Sequence, residues 1–219
     1  MGRGVAGEGV RREYGDPMIP ADEALARLRE GNRRFQAGAA TLTNQPVGAR
    51  APEDQKPFAV VLGCSDSRVP VEVVFDQGFG SLFVIRVAGN IVAPSQVGSI
   101  EFAAERFGTR LVVVMGHTQC GAIEATLEEL RRTSGKSSPN LLSIVDRIRP
   151  SVEGLLKTDL VNDPERLYRE AERANVRASV DHLRHGSKVL EELIQSEGLR
   201  VVGAEYSLET GLVDFFIGV

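Results

Sequence analysis

Two short runs of strand-forming residues, each ending in the same kind of chemistry, constrain this chain more than any other feature. Phe58-Ala59-Val60-Val61-Leu62-Gly63 leads straight into Cys64-Ser65-Asp66-Ser67-Arg68, and Leu111-Val112-Val113-Val114-Met115-Gly116 leads into His117-Thr118-Gln119-Cys120-Gly121. Runs this short and this apolar read as strands buried on both faces, the habit of parallel sheets. In open parallel sheets, ligands bind beyond the carboxyl ends of the strands. If the two strands are neighbours, both segments arrive at one end of the sheet. Cys64 and Cys120 are also the only cysteines in the chain.

Two thiols and one imidazole form a soft donor set that suits zinc and leaves a fourth position open. A structural zinc site usually closes with a fourth Cys or His, and no further cysteine exists to supply it. The pattern therefore points to a working metal. A Cys64–Cys120 disulfide is the alternative, disfavoured because no secretory signal is evident and cytosolic thiols stay reduced. Cys120 falls at the start of a predicted helix, where partial positive charge helps to hold a thiolate. Asp66, two residues beyond Cys64, can accept a hydrogen bond from a metal-bound water or compete for the metal itself. Arg68 can pair with it bidentately and keep it away. Two thiolates weaken the acidifying effect of a metal on its water, so an activity favoured by alkaline pH is expected. Plainer readings make Asp66 a turn cap, Arg68 a surface charge and His117 a satisfied loop histidine. The close spacing of His117 and Cys120 argues against the last of these. His182 and His185 are read as partners of a helix C-terminus rather than as a second metal site. Phe83 and Phe102 read as core on periodicity alone.

Around these segments, apolar strands alternate with helices. Helices are expected over Pro20 to Ala37, Ser95 to Phe107, Ala122 to Arg132, from Leu141, from Asp163-Pro164 to Gly186, and over Lys188 to Gln195. Further strands are expected at Leu82 to Val87, Leu199 to Ala204 and Leu212 to Ile217, with loops at 38–57 and at Ser134 to Asn140. The fold class is α/β: a mostly parallel sheet core flanked by helices, with an N-terminal helical arm. Residues 1–19 read as a disordered extension and 20–219 as one domain. The chain has a net charge of −4 and no basic stripe, so nucleic acid is not an expected partner. No apolar run approaches the roughly 18 residues that a membrane span requires. A cytoplasmic location is the expectation.

Cys64-Ser65-Asp66-Ser67-Arg68-Val69-Pro70, taken with Gly116-His117-Thr118-Gln119-Cys120-Gly121, resembles the β-class carbonic anhydrases. The resemblance runs from Ala24-Leu25 and Glu30-Gly31-Asn32-Arg33-Arg34-Phe35 to Tyr206. It implies reversible hydration of CO2 to bicarbonate and a proton, one zinc held by Cys64, His117 and Cys120, and Asp66 and Arg68 as a catalytic dyad. It also implies that Gln55, nine residues before Cys64, binds bicarbonate, reaching in from a partner subunit. Phe83 would wall the CO2 pocket, with Ala88 and Gly89 at its apolar positions. Phe102 stands where plant-type members often have a tyrosine. A homodimer or homotetramer follows from the resemblance, with Leu25, Leu28 and Phe35 suited to embracing a neighbour. Some bacterial members carry an inhibitory bicarbonate site built from Trp, Arg and Tyr. Here Arg86 and Tyr206 match, but Val61 stands at the Trp position, which implies the plant-like, open-site subtype. The alternatives are a CS2 or COS hydrolase on the same scaffold, a non-catalytic zinc-binding protein, and a redox dithiol.

Overall fold

The computed structural model describes residues 19–41, 55–133 and 137–219. Residues 1–18 of the expected 1–19 extension and the greater part of the loop at 38–57 lie outside these residues, as does part of the Ser134 to Asn140 turn. Five strands form one sheet: β1 (Ala59–Gly63), β2 (Leu82–Arg86), β3 (Leu111–His117), β4 (Arg200–Tyr206) and β5 (Val213–Ile217). Their order across the sheet is β2-β1-β3-β4-β5. The first four are mutually parallel, and β5 returns antiparallel along β4. Every residue of β1 and β3 is buried, which explains why their sequences are continuous apolar runs without alternation. Alternate residues nevertheless serve different faces of the sheet.

One face receives Ala59, Val61, Val113 and Met115 together with Leu25 and Leu28 of α1 (Ala21–Gln36) and Val71 and Val74 of α2 (Val71–Val74). The other receives Val60, Leu62, Val112 and Val114, covered by α3 (Pro94–Arg106), by α6 (Pro164–His185) and by α7 (Lys188–Ser196). A third cluster lies under the end of the sheet, where α4 (Gly121–Arg131) and α5 (Pro139–Val152) pack Ile123, Leu127, Ile148 and Val152 around Cys64 and Cys120. Burying each of these Val, Leu, Ile and Met side chains contributes roughly 1.5–3 kcal/mol, so the strand ends that carry the motifs are anchored on three sides. Helix α6 sits unusually close to the sheet. A Cβ on Gly116 or on Gly203 would come within 2.6 Å and 3.0 Å of Val176 side-chain carbons.

Three expectations change in detail. Pro20 precedes α1 as its capping residue and is not its first helical residue. The apolar face of α1 is spent within its own chain, with Leu25 and Leu28 buried against the sheet and Phe35 beside Tyr206. It is therefore not free to embrace a neighbour. Phe102 is 52% exposed, not core, and meets Phe107 edge-on at 5.6 Å on the outer flank of α3.

A buried asparagine joins distant parts of this frame. The Asn32 side chain donates to the Val74 and Gly211 carbonyls and accepts from the Val213 amide, which ties α1 to the end of α2 and the start of β5. Asn32→Leu leaves those three backbone groups without partners, at about 1–3 kcal/mol for each buried group. A loss of about 3 kcal/mol or more in unfolding free energy is expected, read from urea denaturation.

Candidate metal centre and active site

β1 and β3 are neighbours, in register with Gly63 opposite Met115. Cys64 follows the last residue of β1, and His117 is the last residue of β3. Cys120 caps the N-terminus of α4, and its carbonyl accepts from the Ile123 and Glu124 amides. The ligand atoms of Cys64, His117 and Cys120 all lie within 4.8 Å of one another, and all three residues are buried. Both cysteines are free thiols, their sulfurs 4.0 Å apart. Two sulfurs bound to one tetrahedral zinc at about 2.3 Å stand roughly 3.8 Å apart, so the spacing already suits the ion. His117 Nδ1 lies 2.9 Å from the Thr118 carbonyl. A carbonyl only accepts, so Nδ1 carries the hydrogen and Nε2 keeps its lone pair. That Nε2 is buried with no hydrogen-bond partner among the described residues. An orphaned buried lone pair facing two thiols fits a metal.

The protons of this cluster are shared unevenly. Cys64 is drawn down to about 4, by its bond to Cys120 first, against an opposing effect of burial, then by His117 and the Gly89 amide. Cys120 is pushed up by the bond to Cys64 and by burial. Burial works to lower His117, but the negative charge of the neighbouring Cys64 sulfur outweighs that and raises it. Metal binding must displace the remaining protons, which makes affinity rise with pH.

Asp66 stands beside the cluster without joining it. Its carboxylate accepts from Arg68 Nε at 3.0 Å and Nη2 at 2.7 Å, and from the Arg68 amide at 2.9 Å. Asp66 Oδ2 is 3.9 Å from His117 Nε2. The bond from Arg68 holds the Asp66 carboxyl well below the usual carboxylate range. A folded pKa lowered in this way stabilises the loop at every pH above the unfolded value of about 3.9 and loses that effect as pH falls through the folded value. The pair therefore stays ionised across the neutral range. Arg68 also donates to the Gln119 carbonyl at 3.1 Å, joining the two motifs. Arg86, at the end of β2, donates to the Cys64 carbonyl at 3.0 Å and the Asp66 carbonyl at 2.6 Å.

Two turns around the cluster are left-handed: Gln119 has φ 58°, Gly89 φ 69° and Asn90 φ 42°. For a residue with a side chain this costs about 1–3 kcal/mol and persists only where neighbours enforce it. The Gly89 amide donates to Cys64 Sγ at 3.3 Å. Its left-handed backbone and the 2.8 Å approach of a would-be Cβ to Ile148 both require glycine.

The structure thus brings Cys64, Asp66, Arg68, Gly89, His117 and Cys120 together. Ala88 is half-buried in the same turn as Gly89. Phe83 pairs with Val60, four residues back along β1 from Cys64, and lies 6.1 Å from both Phe102 and Phe107. Gln55 is exposed at the opposite end of β1. His185 meets Asp181 at 3.6 Å, and no second metal-ligating group appears among the described residues. Sequence reading missed Glu172, whose buried carboxylate accepts the Cys120 amide at 3.0 Å. Burial raises its pKa to about 6. Glu172 shares the buried face of α6 with Leu167, Ala171, Asn175, Val176, Ser179 and Val180, and its charged neighbours in sequence mask that position.

The family profile described as "Carbonic anhydrase" matches residues 59–213. Carbonic anhydrase 2 of Mycobacterium tuberculosis is 37% identical over 191 residues, covering 84% of this chain and 87% of its own length. The carbonic anhydrase of Mycolicibacterium smegmatis is 36% identical over 194 residues, covering 85% and 89%. Among solved structures, the β-carbonic anhydrase CafA of Aspergillus fumigatus matches with a TM-score of 0.67 at 27% identity, over 90% of this chain and 91% of that one. A structure from work on two tetrameric β-carbonic anhydrases of Sordaria macrospora shares the fold at a TM-score of 0.66 and 24% identity, over 74% and 82%.

The donor geometry predicts one zinc per chain after expression in zinc-supplemented medium, measured by elemental analysis. Cys120→Ser removes one of three protein donors and is expected to lose most of that zinc while keeping the helical circular dichroism of the parent. Retention of full zinc would mean that the ion sits elsewhere.

Proposed function

The chain belongs to the β-class carbonic anhydrases, zinc enzymes that interconvert CO2 and bicarbonate, and on that footing we propose how its own residues divide the work. Cys64, His117 and Cys120 hold the zinc, Asp66 and Arg68 form the dyad beside it, and the site is of the open, plant-like kind. The observation that carries this reading is the Asp66–Arg68 clasp, which engages both carboxylate oxygens with the guanidinium and leaves Asp66 Oδ2 3.9 Å from His117 Nε2.

Bound zinc lowers the pKa of a water and so supplies a nucleophile near neutral pH. The remaining tasks fall to side chains. An ionised carboxylate only accepts hydrogen bonds. Asp66 Oδ2, the carboxylate oxygen 3.9 Å from His117 Nε2, would therefore accept the hydrogen of a nucleophile held beside the cluster and so orient its lone pair toward CO2. Arg68 keeps Asp66 in that role by occupying the carboxylate with two parallel bonds. Without Arg68, Asp66 is free to swing toward the cluster and compete as a donor. Val61 stands at the position of the inhibitory site's Trp and is fully buried in the sheet, and the chain has no Trp.

CO2 carries no charge, and a small apolar pocket formed by Phe83, Ala88 and Gly89 suits it. Bicarbonate needs a polar partner, assigned here to Gln55. Within one chain that residue is out of reach. The Lys56 and Phe58 amides bond to the Gly80 and Ser81 carbonyls, so the chain runs extended from Gln55 into β1. Nine residues at about 3.3 Å each put Gln55 roughly 30 Å from Cys64. A second copy must then supply it, and a homodimer or homotetramer follows. β2 is the sheet's edge, bonded on one side to β1 alone. Phe79 and Phe102, exposed at 67% and 52%, lie near that edge and offer apolar surface to a partner. A cytoplasmic location suits the two free thiols; no helix among the described residues is long and apolar enough to cross a membrane.

Stopped-flow CO2 hydration from pH 6.5 to 9 on zinc-replete protein tests the reading. Turnover is expected to rise smoothly through a single ionisation. An abrupt collapse below about pH 8 would show Asp66 taking the metal and would contradict the open-site subtype, since an ordinary carboxylate titrates far below that pH. Arg68→Ala is expected to lower kcat/KM by about 10–100-fold, and Gln55→Ala by roughly tenfold or more, the worth of one hydrogen bond to an anion. Zinc-loaded protein that turns over CS2 but not CO2 would redirect the assignment.

A further inference from the structure

Helix α6 carries three buried polar residues on a face that is otherwise apolar: Glu172, Asn175 and Ser179. Their spacing of three and four puts them on one line along the helix. Buried polar groups are unfavourable unless bonded, and these three are satisfied by backbone at the metal centre. Glu172 Oε1 accepts the Cys120 amide hydrogen at 3.0 Å, Asn175 Nδ2 donates to the Gly89 carbonyl at 2.7 Å, and Ser179 Oγ donates to the Asn90 carbonyl at 3.3 Å.

The segments they hold are the two left-handed turns, at Gln119 and at Gly89-Asn90. Each turn delivers one element to the centre. The first delivers the Cys120 sulfur. The second delivers the Gly89 amide that donates to the Cys64 sulfur at 3.3 Å. The Gln119-Cys120 peptide is gripped at both ends, its amide by Glu172 and its carbonyl by Arg68. The helix itself has little room to move, because Val176 packs into the space left by the glycines at 116 and 203 of the sheet.

We propose that α6 is the rail on which the metal centre is set, with Glu172 and Asn175 as positioning residues, one fixing the Cys120 sulfur and the other fixing the amide that bonds the Cys64 sulfur. This deepens the zinc-site reading and rests on it. Glu172 acts as a hydrogen-bond acceptor, so a glutamine, whose side-chain oxygen also accepts, should replace it, whereas alanine should not.

The test compares the zinc-loaded parent with Glu172→Ala, Glu172→Gln, Asn175→Ala and, as a control on the exposed face of the same helix, Asp181→Ala. Three quantities are read: zinc affinity by competition with a chromophoric chelator, the thiolate-to-metal absorption bands after exchange to cobalt(II), and the melting temperature of the metal-free protein. Groups that orient metal ligands typically change metal affinity by about 10–100-fold when removed. A weakening of that size is expected for Glu172→Ala and for Asn175→Ala, together with shifted cobalt bands. Glu172→Gln should restore both readouts to near the parent's, and Asp181→Ala should move neither. Unchanged affinity and bands in Asn175→Ala and in Glu172→Ala would overturn the proposal, even if melting temperatures fall, because a purely structural role lowers stability without altering the bound metal. If Glu172→Ala fails to fold, Asn175→Ala and Glu172→Gln decide: a glutamine variant with weakened zinc and altered bands contradicts the acceptor role. A parent that binds no metal through its cysteines would overturn the zinc-site reading itself, and the absence of cobalt–thiolate bands in the parent identifies that case.

Discussion

The parallel pairing of β1 with β3 is the constraint on which the site depends. It sets Gly63 beside Met115 and so brings Cys64 and His117 out of the sheet at the same end. Side chains alternate along a strand, so a slip of one residue would turn both motifs to the wrong face. Such a slip is resisted on both faces at once, because Val60, Val61, Leu62, Val112, Val113 and Val114 are all fully buried. The apolar core and the metal donors are thus parts of one register. The crossover between the strands runs through α2, β2 and α3, which also places Arg86 under the Cys64 loop.

At the sheet's end the main contest is electrostatic. A carboxylate beside a metal position has two possible partners, and the outcome decides whether the site is open. Here Asp66 faces a guanidinium that offers two bonds in a fixed fork, geometry that an isolated Lys could not supply. Arg68 is half exposed, so the strength of the pair comes from this geometry more than from a dry setting. The same arginine reaches the Gln119 carbonyl, which makes the clasp a brace between the two loops that carry the candidate metal donors. The buried carboxylate of Glu172 supports the second loop from below.

Most of the strands and helices were legible because their signals are local. Continuous apolar runs marked β1 and β3, and Asp163-Pro164 marked the start of α6, where the Asp163 side chain accepts the Arg166 amide. The candidate donor set was legible from residue chemistry, since Cys64 and His117 stand at strand ends and Cys120 at the start of a helix three residues on. The four-residue α2 was not, being shorter than any window in which a helical period can be seen. Long-range polar contacts were equally hidden. Asn32 stood out as a polar residue between Leu28 and Phe35, yet nothing in the sequence names Val74, Gly211 and Val213 as its partners. Glu172 sits in a run of charged residues, and only the burial of its face distinguishes it from its neighbours. Phe102 misled because an aromatic residue in a helix suggests core, yet it lies on the side of α3 opposite Ile100, Ala103 and Ala104 and is exposed.

Zinc K-edge X-ray absorption on the parent and on Asp66→Asn, both at pH 7, tests the central claim most directly. The account predicts two sulfur donors near about 2.3 Å and two lighter donors, with the same shell in both proteins, because Asp66 is held by Arg68 and not by the metal. A light donor that changes distance or disappears in Asp66→Asn would place the carboxylate on zinc and contradict the open site. A shell without two sulfurs would contradict the assignment of Cys64 and Cys120 as ligands.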